Sequence, residues 1–208
     1  MGLRRVTESG GLRRVEPREY PRDTEGLIEQ LQDPDASVRR WAARDLTIHP
    51  QAVGPLCAHL AHEPDHSVRE VIFTTLGCLG GPDVAEGLIP LLRSDDPGLR
   101  NGAIEALSEL PEEVAPHIQA LLNDPDVDVR IFTLNLMTDL KHPDVNQWLT
   151  SVLTQEPHVN VVAAALELLA EVGTDACLPA LKMARQRFAD DAFIGFAADL
   201  AQQRIEAS

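Results

Sequence analysis

Aromatic residues are scarce: two Trp, one Tyr and five Phe make up 4% of the 208 residues. Any core must therefore be built from Leu, Ala, Val and Ile, a composition that favours helices packed closely through small side chains. Cysteine is rare too, and Cys57, Cys78 and Cys177 share no C-x-x-C spacing and leave one thiol over. That excludes a disulfide framework and a zinc knuckle, and it fits a reducing cytosol. Long apolar runs are missing: stretches such as Val161 to Leu166 fall far short of the ~20 residues a membrane-spanning helix needs. Arg4-Arg5 and Arg13-Arg14 are not followed by the apolar stretch an export signal requires. A soluble, cytoplasmic protein without membrane contact is expected.

Positive charge is also in deficit, with 18 Lys and Arg against 33 Asp and Glu and a net charge of −15. Residues 1–22 run against this trend, holding six Arg against Glu8, Glu16 and Glu19, so the acidic excess belongs wholly to residues 23–208. Such a body repels phosphate backbones and speeds encounter with basic partners. Nucleic acid is not an expected ligand. The hydrophobic share of 44% and charged share of 25% are those of an ordinary globular protein, which rules out wholesale disorder.

What the chain does contain is a repeat. Asp33-Pro-Asp-Ala-Ser-Val-Arg39 recurs as Glu63-Pro-Asp-His-Ser-Val-Arg69, Asp96-Pro-Gly-Leu-Arg100, Asp124-Pro-Asp-Val-Asp-Val-Arg130 and Glu156-Pro-His-Val-Asn-Val-Val162. The last residues of these copies are 30, 31, 30 and 32 positions apart, a period typical of helix-pair arrays. Before each turn lies an apolar-periodic segment, which the acidic-Pro turn stops. After it comes a second helix with a constant apolar face, in columns such as Val38-Ala42-Ala43-Leu46, Val68-Ile72-Phe73-Leu76 and Val161-Ala165-Leu166-Leu169. One such pair cannot bury its own apolar faces, so successive pairs must stack. The fold class expected is all-α: a right-handed α-α superhelix of about six pairs, near 24–48, 52–80, 84–110, 114–140, 145–172 and 175–205. Residues 1–22 read as a flexible basic arm and 23–208 as the solenoid. Gln202, Gln203, Arg204 and Glu206 suit the last helix to a polar terminal cap.

The D-P-D-x-x-V-R turn before an Ala/Leu-rich helix resembles HEAT repeats, in particular the short HEAT-like, armadillo-type repeats named after the phycobilisome lyases. The likeness is close over residues 24–172 and weaker over 175–205. It implies the solenoid fold, shared by scaffolds, chaperone-like factors, a lyase group and a few enzymes. It also implies a hydrogen-bond ladder between neighbouring repeats from Asp35 and Arg39, Asp65 and Arg69, and Asp126 and Arg130. In the third copy Gly98 stands at the matching Asp position beside Arg100, and in the fifth Val162 replaces Arg, so the ladder should weaken there.

Catalytic patterns are lacking. The turn acids and arginines recur once per repeat, which marks them as structural. His59, His62 and His66 with Glu63 and Asp65 are the densest set of possible metal ligands, but Pro64 interrupts them, and no metal or cofactor is expected. The three cysteines fall on or beside apolar helix faces and read as packing residues. HEAT-like deoxyhypusine hydroxylases carry His-Glu pairs just after the turn Arg, where this chain has Arg40-Trp41, Glu70-Val71, Asn101-Gly102, Ile131-Phe132 and Ala163-Ala164. That chemistry is excluded.

The free stripe of each second helix distinguishes the repeats. By the family resemblance it lines the concave groove, with Trp41, Arg44, Val71, Glu105, Phe132, Asn135, Leu136 and Asp139 as candidate partner contacts; Glu70, Asn101 and Glu167 lie beside them. Val71, Leu136 and Leu168 are alternatively spacers between neighbouring helices. Trp148, in a polar column of a first helix, is a candidate contact on the convex face. Gly-Leu-Arg-Arg-Val occurs at both 2–6 and 11–15, in an arm that binds an acidic partner, folds back on the body or is simply solvated. The function expected is a non-enzymatic scaffold or adaptor that takes a protein or peptide with a basic surface into an acidic groove. The alternative is a lyase-like or maturation-factor subunit handling a tetrapyrrole or other cofactor.

Overall fold

The computed structural model describes residues 21–138 and 140–207. The first twenty residues of the expected arm, and Asp139, therefore lie outside the described residues. The helix pairs are α1 (Thr24–Gln30) with α2 (Ala36–Asp45), α3 (Val53–Leu60) with α4 (His66–Leu79), and α5 (Pro82–Leu88) with α6 (Pro97–Ser108). There follow α7 (Pro111–Leu121) with α8 (Val127–Leu136), α9 (Val145–Gln155) with α10 (Val159–Val172), and α11 (Leu178–Arg187) with α12 (Ala192–Glu206). No strand occurs among the described residues. Over the described residues the chain forms the expected all-α superhelix of six pairs. Gly80 and Gly81, with φ of 60° and 89°, end α4 in a conformation that side chains rarely adopt. After α5 the chain tightens into a 3₁₀ segment, Ile89–Arg93, where Pro90 has no N–H to continue the α pattern.

The even-numbered helices form one row, each packed on the next from α2 through α12. The first helices form the other layer, with α3 on α5, α5 on α7, and α9 on α11. Between the layers lies a continuous core of Leu, Val, Ile and Ala, from Leu27 through Ile72, Leu107 and Leu134 to Ala201. The predicted columns point into it, although Val38, Phe73 and Ile104 are only half-buried. Trp148 is a correction: it is 7% exposed and stacked on His142 with ring centroids 4.9 Å apart, so it is a core residue rather than a convex-face contact.

The first four turns use two polar side chains in series, and the fifth keeps only the first. The first accepts the N–H two residues on: Asp33 from Asp35, Glu63 from Asp65, Ser94 from Asp96, Asp124 from Asp126 and Glu156 from His158. The second then caps the following helix. Asp35, Asp65, Asp96 and Asp126 accept the N–H of Ser37, Ser67, Gly98 and Asp128 at 2.8–2.9 Å, satisfying donors that a helix start leaves unpaired. This corrects the register of the third copy. Asp96 is the counterpart of Asp35, and the departure from the pattern is Ser94, not Gly98. Pro97 misleads because it is the first residue of α6, where its missing N–H is harmless, and not the turn proline.

The turn arginines join the repeats, but through other partners than the resemblance implied. Arg39, Arg69, Arg100 and Arg130 each donate to the carbonyl six residues back, that of Asp33, Glu63, Ser94 and Asp124. The carboxylates of Asp35, Asp65 and Asp126 are occupied as caps, so the forward bonds go to the first acid of the next turn. Arg39 holds Glu63 through Nε at 2.8 Å and Nη2 at 2.6 Å. Arg130 holds Glu156 at 2.9 and 3.1 Å. Since Ser94 has no carboxylate, Arg69 turns to Asp96 at 2.7 Å, and Asp124 is bonded by Arg93. Arg100 lies over the Phe132 ring at 5.5 Å, its Nε buried without a hydrogen-bond partner. In the fifth copy, where Val162 cannot donate, Arg187 of α11 supplies bonds to the carbonyls of Leu153 and Glu156 at 2.9 and 2.6 Å.

Arg39→Ala leaves Glu63, fully buried, without its cation, and should lower the unfolding free energy by about 3–5 kcal/mol. Arg130→Ala should cost about 2–3 kcal/mol, and Arg100→Ala, which loses one bond to a neutral carbonyl, about 1 kcal/mol or less. Urea denaturation of the three variants orders them; equal losses would deny the carboxylates their part. Burial alone would raise the pKa of Glu63, but the bonds from Arg39, from the Asp65 N–H and from His59 outweigh it and hold the carboxyl at about 2. A carboxylate depressed in this way stabilises fully above its unfolded value of about 4.3 and loses that contribution as pH falls toward the folded one. Stability should thus fall between about pH 4.3 and 2, and Glu63→Gln, weaker at pH 7, should show a flatter acid limb.

Candidate functional site

One face of the row of second helices stays open to solvent, and along α4 and α6 it deepens into a groove of about 890 Å³. The α4 wall presents Glu70, Phe73, Thr74, Gly77 and Cys78, spaced i, i+3, i+4, i+7 and i+8, one stripe of a helix. The α6 wall presents Asn101, Gly102, Glu105, Ala106 and Glu109, spaced i, i+1, i+4, i+5 and i+8, again one stripe. Depth comes from the glycines. Nothing lies near the missing Cβ of Gly77, while a Cβ on Gly102 would overlap the Phe73 ring, so only glycine lets that ring lie across the α6 backbone.

The groove is acidic at its rim. Glu70, Glu105 and Glu109 are exposed, and the cation among its lining residues, Arg69, already donates to the Glu63 carbonyl and to Asp96. His66 stands 3.5 Å from Glu70. A smaller hollow of about 390 Å³ follows on the same row, lined by Ile131, Val159, Ala163, Ala164, Glu167 and Phe193 among others. The arrangement offers apolar floors between carboxylates, suited to a cationic ligand with some apolar surface.

The sequence-based candidates divide. Glu105, with Glu70 and Asn101 beside it, is brought into the groove. Trp41 is 43% exposed with the Arg44 guanidinium 4.6 Å over its ring, and Asn135 is exposed. Phe132, half-buried, lies under Arg100, and Val71 packs against the core. Leu136 is only 5% exposed and is a spacer between helices, not a contact; Leu168 shares that fate. Sequence reasoning misses Phe73 and Gly77, and Cys78, read as a packing residue, is exposed instead. Phe73 occupies a column that is buried at Ala43, Leu134 and Leu166, and the signal was its glycine neighbours, Gly77 one turn on and Gly102 in the next repeat.

The histidine cluster is engaged locally. His59 Nε2 lies 2.7 Å from Glu63 and its Nδ1 3.4 Å from Gln32, while His62 is exposed. Among the described residues no three His, Cys, Asp or Glu converge as a metal site, and no helix is long and apolar enough to cross a membrane. The cysteines occupy three environments. Cys177 is buried and donates to Asn146 Oδ1 at 3.2 Å, Cys57 is half-buried, and Cys78 is exposed. Burial pushes the Cys57 thiol up to about 11.

Comparison with known proteins gives the same architecture. The sequence signature of HEAT repeats matches residues 24–108 and 114–193. Among curated proteins, the uncharacterized phycocyanin operon protein Z of Pseudanabaena tenuis is 26% identical, over 88% of this chain and 95% of that protein. An archaeal HEAT-like repeats protein from Thermococcus onnurineus superposes with a TM-score of 0.52 at 18% identity, covering 89% of this chain and 88% of that one. The complex of CpcE and CpcF of phycocyanin lyase from Nostoc is 20% identical over 90% of this chain and 99% of that one, with a TM-score of 0.37.

In the folded protein a maleimide should modify Cys78 quickly, whereas Cys57 and Cys177 should wait for unfolding, because exposure and thiolate fraction set the rate. Mass spectrometry of the timed reaction reads this directly. A single rate for all three thiols would contradict the groove.

Proposed function

The chain belongs to the HEAT-repeat family, and on that premise we propose that it is a non-enzymatic scaffold or adaptor holding a protein or peptide partner with a basic surface. The observation that carries this is the acidic groove between α4 and α6, with Phe73 on its wall and Glu70, Glu105 and Glu109 at its rim. Carboxylates around a half-apolar trough favour Lys- or Arg-bearing segments, steering their approach and fixing their register. Trp41 with Arg44, Val71, and Phe132 with Asn135 extend the proposed contact surface along the same row of helices. Aromatic and Arg side chains are the residue types that most often dominate interface energetics.

A second reading is supported by the phycocyanin operon protein, matched over nearly its whole length: a lyase-like or maturation-factor subunit that handles a tetrapyrrole. Phe73 and Cys78 would then be contacts of that ligand. On this reading the purified protein takes up a bilin or haem and gains visible-range absorbance. Protein that stays colourless with saturating tetrapyrrole excludes it.

For the leading reading, an Arg- and Lys-rich peptide should bind in a salt-sensitive manner, and an acidic peptide of equal length should not. Charge reversal by Glu70→Lys, Glu105→Lys and Glu109→Lys together should weaken binding at least about tenfold with little change in Tm, since all three side chains are exposed. Calorimetric titration checks this. Equal affinity of the reversed variant for the basic peptide would refute the groove as its site.

A further inference from the structure

The open face of the row changes character from one end to the other. Counted from the caps at Asp35, Asp65, Asp96, Asp126, His158 and Asp191, the fifth residue is in turn Arg40, Glu70, Asn101, Ile131, Ala163 and Phe196. The ninth is Arg44, Thr74, Glu105, Asn135, Glu167 and Leu200. Through α6 both columns are polar, over α8 and α10 one of the two is apolar, and over α12 both are. Phe193, at the second position, where α10 has Asn160, lines the hollow with Ile131 and Ala163. Phe193, Phe196 and Leu200 are 54%, 66% and 38% exposed and stand at i, i+3 and i+7, one stripe of the helix. Together they show roughly 300 Å² of apolar surface to water, about the size at which such a patch on a soluble chain marks an interaction site. The stripe is not a stacking side left without its next repeat. That side of α12 carries Gly195, Asp199 and Gln202, with Asp199 bonded by Arg185, so the end of the array is polar while the open face of the same helix is apolar.

Resting on the reading that the acidic groove holds a basic segment, we propose that the same segment continues along the row and seats bulky apolar side chains on the hollow and stripe of α10 and α12. The partner is then a chain with a cationic block and an apolar block in series, not a basic surface alone. The two ends of the face select different chemistry. At α4 and α6 the rim carboxylates Glu70, Glu105 and Glu109 attract Lys and Arg. Of the two carboxylates at the hollow, Glu167 and Asp191, Asp191 is occupied as the cap of α12, and the floor is apolar. The sites lie on one unbroken row, since α6 packs on α8 and α8 on α10. Three helix steps of roughly 8–10 Å separate groove from hollow, a span that about eight extended residues cover. Joining the two contacts in one chain makes the second intramolecular, so a modest apolar contact multiplies the affinity of a modest ionic one.

Calorimetric titration of the full chain with a set of peptides tests the proposal. One is an Arg- and Lys-rich peptide; the others carry in addition two Leu and a Trp, joined to its N- or its C-terminal end by about ten Gly and Ser residues. One of the extended peptides should bind at least about tenfold tighter than the basic peptide alone. Raising the salt to about 0.5 M should weaken both and leave that ratio standing, because screening acts on the ionic block only. Phe196→Glu should remove the gain at unchanged Tm, and so should Leu200→Gln, which serves alone if Phe196→Glu fails to fold. Equal affinity of all the peptides overturns the proposal and leaves the basic groove intact, as does a gain that survives both substitutions. If no peptide binds, the groove reading fails and this inference with it. Dimerisation of the full chain in sedimentation velocity, abolished by Phe196→Glu, would give the stripe to a second copy and overturn the proposal as well.

Discussion

The solenoid depends on an arginine that spans two turns. Where a first helix ends, its last carbonyls have no intrahelical donor, and the chain must reverse within a few residues to start the second helix. Arg39 and Arg130 donate to carbonyls of their own turn and to the carboxylate that organises the next. That carboxylate also accepts the N–H two residues on. One cation thus terminates a helix, fixes a turn and sets the spacing to the next pair. Glu63 is wholly buried, a position tolerable for a charge only when it is fully bonded, so the bond constrains geometry more tightly than apolar contact alone could.

Departures from the pattern show how a repeat array absorbs variation. Ser94 keeps the local turn by accepting from Asp96 N–H, but it has no charge to give Arg69, which takes the cap carboxylate instead. The displacement then passes down the chain: Arg93 bonds Asp124, and Arg100 is left over an aromatic ring. In the fifth repeat the lost arginine is replaced from a distance, by Arg187 of α11. Such substitutions act through space and have no trace in the local motif. Periodicity made the six pairs, their boundaries and the core columns legible, because stacking imposes one pattern on every repeat. The wiring between repeats was not legible, because a motif names the residues of a turn and not the donor that arrives from the next pair. The third copy was misaligned for a simpler reason: Asp-Pro is read alike as a turn or as a cap followed by the first helical residue.

The groove was legible in half. Glu70, Asn101 and Glu105 could be placed on the free stripe because a charged side chain on a repeating helix face stays out of the core. Phe73 could not, since the same column is filled by buried Ala43, Leu134 and Leu166. What turns it outward is Gly102 of the next helix, a relation across repeats. Leu136 errs in the opposite direction. Its column holds Asp45, Thr75 and Ala106 in the earlier repeats, yet neighbouring helices close over it, as they do over Leu168.

The open face of the row and its stacking faces arise from one geometry and differ in physical character. Stacking leaves the open face of the row exposed along its whole length, so that face must be compatible with water, and selection for a ligand acts through the few positions where glycine and carboxylates meet. The lateral face of each second helix is consumed by the next repeat, so its apolar composition is required everywhere except at the end. At that end the column of Ala43, Phe73, Leu134 and Leu166 carries Asp199, and the column of Leu46, Leu76, Leu107, Met137 and Leu169 carries Gln202, so the last repeat closes the array with a polar face.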